Sequence, residues 1–308
     1  MSTEFIEKPD PALDPKQFAP LQIRQLMPHF GAQIEGVNLV AEISEDIRAL
    51  LRKAWLAYGV IILTGQKLLG PDEHLAVATI FGKPHRGALT SENRTAQVDR
   101  FTTDESRPPV TNLWHADNTT YEIPPIGTMI QIQDCPPVGG NTGWASTRKA
   151  YRCLSEPMKG YLSGLTAVHY WDGRGRTRLL QSSPPQEDDP VDVNVASDEE
   201  EYFRELRENP PRRYPVAATH PITGEKTLYV NETYTTFIEG LHQYESQAIL
   251  NFLYSWVRMP EFYVTHQWAP NDIAIWDNYA MQHYGLADYV QQRVAQRVTF
   301  IGGTDAIV

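Results

Sequence analysis

The chain has 308 residues, 41% hydrophobic and 21% charged, an ordinary globular mixture that can bury a sizeable core in one large domain or two small ones. A net charge of −11, from 27 basic and 38 acidic residues, argues against a nucleic-acid binder or a polybasic membrane-surface protein, both of which need a cationic face. With no run of 18 apolar residues, no apolar signal core in the charged, Pro-rich start and only two cysteines, Cys135 and Cys153, neither a membrane helix, a secretory signal nor a disulfide framework is expected, and a reducing cytoplasm is the natural location.

Residues 1–18 read as a disordered lead-in, and residues 19–308 as a single domain. Short strands are expected near Leu21–Leu26 and Ala32–Leu39. Ser44-Glu45-Asp46 opens a helix, an N-cap residue followed by acids in the first turn. Its apolar residues Ile47, Leu50, Leu51, Ala54, Trp55 and Tyr58 keep helical spacing up to Gly59, after which Val60–Leu63 reads as a buried strand. Pro71 starts a second helix reaching about Phe81. Beyond the polar stretch 86–110, short extended segments dominate: Ile126–Gln133, Leu165–His169, Val216–His220, Lys226–Asn231, Phe262–Trp268, Asp272–Trp276 and Val294–Ile301. Helices are expected at Thr147–Leu154, Asp198–Asn209 and Tyr244–Met259. The pattern is mostly β with flanking helices, and it fits a double-stranded β-helix, a jelly roll of cupin shape. Residues 171–213 form an irregular, lid-like insertion that carries Arg174, Arg176 and Arg178 as well as an acidic run.

Chemistry enters at Trp114-His115-Ala116-Asp117. In an extended segment, positions i and i+2 share a face, so the His115 imidazole and the Asp117 carboxylate converge while Ala116 turns away. The pair alone suits a hydrogen-bonded couple as well as half of a metal site. The second half lies far downstream, at Gln282-His283-Tyr284, followed by Arg293 and Arg297. On a strand these two guanidiniums lie on one face with Ala295 between them, which is costly unless anions meet them. Surface ion pairs with Asp277 or Asp288 are the plain alternative. Two His and one carboxylate on one face of an octahedral metal leave three positions open, the ligand set of non-haem Fe(II) oxygenases.

In sequence order and spacing, several segments together resemble the taurine dioxygenase (TauD/TfdA) family of Fe(II)- and 2-oxoglutarate-dependent dioxygenases, over about residues 22–302. They are Gly31–Val37, Trp114–Asp117, Pro136-Pro137-Val138-Gly139-Gly140-Asn141-Thr142, His220-Pro221 with Thr223-Gly224, and Trp276-Asp277-Asn278 through His283, Arg293 and Arg297-Val298-Thr299. The resemblance implies Fe(II) on His115, Asp117 and His283. It implies 2-oxoglutarate and O2 as cosubstrates, with release of succinate and CO2. Thr142 and Arg293 match the residues that hold the distal carboxylate of 2-oxoglutarate, and Arg297 matches the position that meets the anionic end of the substrate. One residue fewer than usual separates His283 from the arginine pair, which leaves an exchange of the two roles open.

Asn118 and Thr120 replace the apolar residues more common after the HxD pair, and Trp171 and Tyr234 match aromatic pocket walls. Taurine itself is not the expected substrate. A small metabolite bearing a carboxylate or similar anion is expected to be oxidised at an aliphatic C–H. The outcome, hydroxylation or desaturation or a more elaborate oxidation, stays open, as does assembly into a homo-oligomer. Two other classes compete. A metal hydrolase on the same three ligands would give no reason for Thr142 and Arg293, and a non-catalytic cupin-like binding protein would not need all three ligands.

Overall fold

The computed structural model describes residues 10–85, 98–106, 112–170 and 210–302. Residues 10–18, read above as part of a disordered lead-in, instead form two 3-10 turns, Pro11–Leu13 and Pro15–Phe18. Asp10 and Asp14 cap them by accepting from the Ala12 and Lys16 amides, and Leu13 and Phe18 are buried. The polar, Pro-rich composition hides two apolar anchors; Tyr58 adds a hydrogen bond from its hydroxyl to the Leu13 carbonyl at 2.7 Å. The expected insertion at 171–213 and the helix at Asp198–Asn209 fall outside the described residues, apart from the start of a strand at Arg212.

The order of elements in the opening segment is as expected, with β2 ending earlier than Leu39 and the second helix ending at Ala78. Strands β1 (Gln22–Met27) and β2 (Phe30–Glu35) form an antiparallel hairpin. Helix α1 (Glu45–Tyr58) is capped by the Ser44 hydroxyl and stopped by Gly59, whose φ of 73° only glycine adopts without strain. Strand β3 (Val60–Leu63) returns parallel to β2, and α2 (Pro71–Ala78) follows. Then come β4 (Lys83–Pro84), β5 (Asp99–Thr103), β6 (Gly127–Asp134), β7 (Thr142–Ser146), α3 (Thr147–Arg152), α4 (Glu156–Leu162) and β8 (Thr166–His169). The C-terminal half holds β9 (Arg212–Pro215), β10 (Ala217–Thr219), β11 (Lys226–Leu228), β12 (Thr235–Ile238), α5 (Gln243–Val257), β13 (Tyr263–His266), β14 (Ile273–Asp277), β15 (Met281–Gly285) and β16 (Arg293–Ile301).

The large sheet runs β1-β2-β3-β14-β6-β16-β4, with β5 paired to β16. Its central strands β3, β14 and β6 are buried on both faces, so their side chains alternate between two apolar environments. Ile61, Leu63, Ile273, Ile275, Val298 and Phe300 pack beneath α1 and α2. Val60, Ile62, Ile130, Ala274, Trp276 and Ala295 face the opposite way, toward Trp144 and Trp268. That second layer is the interior of the jelly roll. It is closed by the sheet β13-β7-β15 and flanked by β12-β8-β9 and β10-β11, with α5 covering the outer side through Leu250, Leu253 and Val257. Burying each such side chain contributes roughly 1.5–3 kcal/mol.

Candidate active site

The two halves of the HxD…H pattern meet in the jelly-roll interior. His115 lies just before the tight turn at Asn118 and pairs with His283 on β15 in an isolated antiparallel bridge. The His115 amide donates to the His283 carbonyl at 3.1 Å, and the His283 amide donates back at 2.7 Å. This exchange sets the imidazole centroids 4.1 Å apart. Asp117 Oδ1 stands 3.8 Å from Nε2 of each histidine. All three residues are buried, and one potential ligand atom from each lies within 4.8 Å of the others. Asn118 then takes a φ of 49°, the left-handed region that Asn tolerates, and turns the chain away.

His115 and Asp117 are oriented from behind, whereas the Nδ1 of His283 is buried without a hydrogen-bond partner. The His115 Nδ1 side bonds the Leu113 carbonyl at 2.7 Å, which leaves Nε2, a buried atom with no hydrogen-bond partner, facing the cluster. The Thr128 hydroxyl donates to Asp117 Oδ2 at 2.7 Å, and Asn278 Nδ2 donates to Thr128 Oγ1 at 3.0 Å. Asn278 is held in turn by Trp276 Nε1 at 3.0 Å. Asp117 thereby presents Oδ1 alone to the histidines. Asp277, next in the chain, accepts from buried His220 at 2.8 Å and fixes the turn that leads into β15.

Charge states favour a cation. Burial works to raise the Asp117 carboxyl, but His283, Arg297, His115 and the Thr128 hydrogen bond outweigh it and hold the group below the usual carboxylate range. Burial pushes His115 down and takes His283 to about 3, aided there by His115, so both imidazoles are neutral at pH 7. Two neutral imidazoles and a carboxylate, with an orphaned buried lone pair, fit a divalent metal.

The arginines of β16 have different surroundings. Arg293 and Arg297 do lie on one face, with Ala295 packed in the interior between them. Arg293 is buried against the Trp268 ring, with Nη2 3.4 Å from Thr142 Oγ1. Trp268 Nε1 also donates to Thr142 Oγ1, at 3.0 Å. No carboxylate pairs with Arg293 among the described residues, its Nε has no hydrogen-bond acceptor, and burial pulls its pKa down. Arg297 does have counter-charges: Nη2 lies 3.3 Å from Asp99 and Nη1 3.6 Å from Asp117. The acids suggested from sequence to meet the arginines serve elsewhere: Asp277 holds His220, and Asp288 accepts from the Gly140 amide. Asp99 was missed because its only signal is its register opposite Arg297, which the polar stretch before it conceals.

Of the expected pocket residues, Tyr234 lies beside Asp117, Tyr121 and Arg297, with a backbone hydrogen bond at Asn118; burial, first, and Asp117 push its phenol upward. Asn118 is buried with an unpaired Nδ2, and Thr120 is buried in the same turn. Trp171 lies outside the described residues. Among the remaining histidines, His242 caps α5 and His266 pairs with Asp272 at 2.9 Å.

A jelly roll enclosing two histidines and a carboxylate defines a mononuclear non-haem metal oxygenase. The family model described as Taurine catabolism dioxygenase TauD, TfdA family matches residues 22–299, and the chain belongs to that family. It is 30% identical to an alkylsulfatase of Acinetobacter baylyi, over 97% of this chain and 88% of that one. It is 28% identical to an alpha-ketoglutarate-dependent sulfate ester dioxygenase of Pseudomonas putida, over 92% and 90%. The crystal structure of a taurine dioxygenase from Burkholderia xenovorans superposes with a TM-score of 0.73 at 27% identity, over 93% and 92%. The chain is an Fe(II)- and 2-oxoglutarate-dependent dioxygenase. His115, Asp117 and His283 could hold the Fe(II), which together with 2-oxoglutarate would supply the activation of O2. None of the helices among the described residues is long and apolar enough to cross a membrane.

Proposed function

We propose that this dioxygenase oxidises an aliphatic C–H of a small organic anion, with Arg293 and Thr142 holding the distal carboxylate of 2-oxoglutarate and Arg297 meeting the charged end of the substrate. The carrying observation is the contrast between the arginines. Arg293 is a buried guanidinium that meets the Tyr289 hydroxyl but, among the described residues, no carboxylate, which supports a ligand's carboxylate as its counter-charge. A planar, two-pronged donor beside a hydroxyl suits a carboxylate. Arg297 stands 3.6 Å from Asp117, which supports a place for the substrate's charged end beside the metal site. This contrast supports the roles as first assigned over their exchange.

His115, Asp117 and His283 hold the metal in this reading, and Tyr234, Asn118 and Thr120 form the substrate side. Relatives named for sulfate esters, and another named for (S)-phenoxypropionate, support an anionic substrate and widen the expected carboxylate to sulfate esters. A single domain that includes residues 10–18 supports both ends of the site, since the residues of the site come from both halves of the chain. The net charge of −11 and the placement of Cys135 and Cys153 outside any disulfide support a cytoplasmic enzyme without nucleic-acid or membrane partners.

The test is a panel with Fe(II), 2-oxoglutarate and O2: hexyl sulfate, hexanesulfonate, hexanoate, 2-phenoxypropionate, hexanamide and hexanol. Succinate formed in step with an oxidised product is the readout, and the product mass separates gain of an oxygen from loss of two hydrogens. Anions should far exceed the neutral compounds in kcat/KM, and Arg297→Gln should narrow that gap. Equal use of anions and neutral compounds by the wild type would remove Arg297 from substrate recognition.

A further inference from the structure

Arg297 is gripped from the neighbouring strand by residues that belong to none of the matching motifs. In the β5–β16 register, Asp99 lies directly opposite Arg297, and Phe101 lies opposite Ala295. Residues two apart on a strand share a face, so Asp99 and Phe101 both point toward the arginine, while Arg100 turns outward to Gln133. Asp99 Oδ2 takes Nη2 at 3.3 Å, and the guanidinium carbon sits 5.6 Å over the Phe101 ring. Asp99 is buried, with its side chain 4% exposed. The other nitrogen, Nη1, is directed at Asp117.

We propose that Asp99 is a positioning and specificity-determining residue: it clamps one nitrogen of Arg297, holds the guanidinium beside Asp117 where the substrate's charged end meets it, and offsets part of the charge that end meets. The inference rests on the reading that Arg297 meets the substrate anion. Directly opposed charges on paired strands attract, and a buried pair holds its geometry better than an exposed one. The clamp has two separable effects. As a hydrogen-bond acceptor, Asp99 stops the guanidinium from swinging and so fixes where the substrate C–H lies. As a charge, it repels an incoming anion at close range in a poorly solvated pocket, so binding is weaker than a lone arginine would give. Full catalytic coupling therefore comes with moderate affinity and easier release.

The experiment uses full-length protein loaded with Mn(II) and N-oxalylglycine, which binds but does not turn over, titrated calorimetrically with hexyl sulfate and with neutral hexanol. Asp99→Asn keeps an acceptor and loses the charge; Asp99→Ala loses both. Both variants should bind hexyl sulfate more tightly, by roughly tenfold or more from the removed repulsion, with hexanol unchanged. In turnover with Fe(II), Asp99→Asn should keep succinate and product in step, while Asp99→Ala should form excess succinate and lose kcat. Unchanged or weaker hexyl sulfate binding in both variants overturns the proposal, as does equal weakening of sulfate and hexanol. If Asp99→Asn does not fold, Asp99→Ser reads the same change of charge, and failure of both to fold makes Asp99 a structural residue and overturns the proposal. Arg297→Gln separates this inference from the reading beneath it. Undiminished hexyl sulfate binding there removes Arg297 from recognition altogether, whereas loss there with no effect at Asp99 removes only the clamp.

Discussion

Asp117, as a proposed metal ligand, has its orientation set by residues outside the cluster of three. Thr128 occupies its Oδ2, and Asn278 and Trp276 hold Thr128 in place. Removing such an orienting partner typically lowers metal affinity by about 10–100-fold. Thr128→Val should therefore weaken Mn(II) or Fe(II) binding in that range with the fold retained, as read by calorimetric titration and circular dichroism. Unchanged affinity would mean that the histidines alone orient the carboxylate. At the other end of the site, Arg293→Ala should raise the 2-oxoglutarate concentration needed for half-maximal succinate formation by at least about tenfold, the scale of a charge-assisted pair. Thr142→Ala should act in the same direction but less. A larger effect from Arg297→Ala than from Arg293→Ala would exchange their roles. HxD spacing and strand periodicity pointed to His115, Asp117 and the arginine pair without knowledge of the tertiary fold, whereas Thr142 and the separate roles of Arg293 and Arg297 came only from the family resemblance. Thr128, Asn278 as a support and Asp99 could not be read from sequence, because their significance comes from register between distant strands.

Elements were legible to the extent that their own residues dictate them. α1 and β3 follow from an N-cap, a helical apolar stripe and a glycine stop, all local. β7, β12 and β15 gave no comparable signal, for β7 (Thr142–Ser146) and β15 (Met281–Gly285) are short, mixed in polarity and held by each other's backbones. The strand expected at Ala32–Leu39 starts earlier and ends at Glu35, because Gly36 turns the chain at a φ of 79°. β6 carries its own constraint. A Cβ on Gly127 would come within 2.5 Å of the Phe300 ring and 2.8 Å of the Trp276 carbonyl, where β6 lies between β14 and β16. Gly127→Ala should destabilise the protein by about 1–3 kcal/mol through overpacking, measured by urea unfolding. Because Thr128 is the next residue, the variant should also weaken metal binding. Wild-type stability would show that Phe300 moves aside without cost.

Across the whole molecule, buried neutral histidines set the acid limit. Burial takes His74 to about 4 and His169 to about 3. An unfolded chain takes up a proton at each near pH 6.5, while the folded protein does not until far lower. The stability this contributes is complete above pH 6.5 and is lost as the pH falls toward 4, on the order of 3 kcal/mol for His74 alone. Urea midpoints at pH 7 and pH 5 should show the fall, and His74→Leu, with no proton to gain, should show a shallower one. A further consequence follows from the two-way backbone bridge between His115 and His283. Strand side chains alternate, so a slip of β15 by one residue would present Gln282 or Tyr284 to the cluster instead of His283. Only the correct pairing offers three ligands, and a metal that binds only that pairing deepens its basin by mass action. The ion thus acts as a proofreader of strand alignment, rewarding the one registration of the sheet that can also carry out the chemistry.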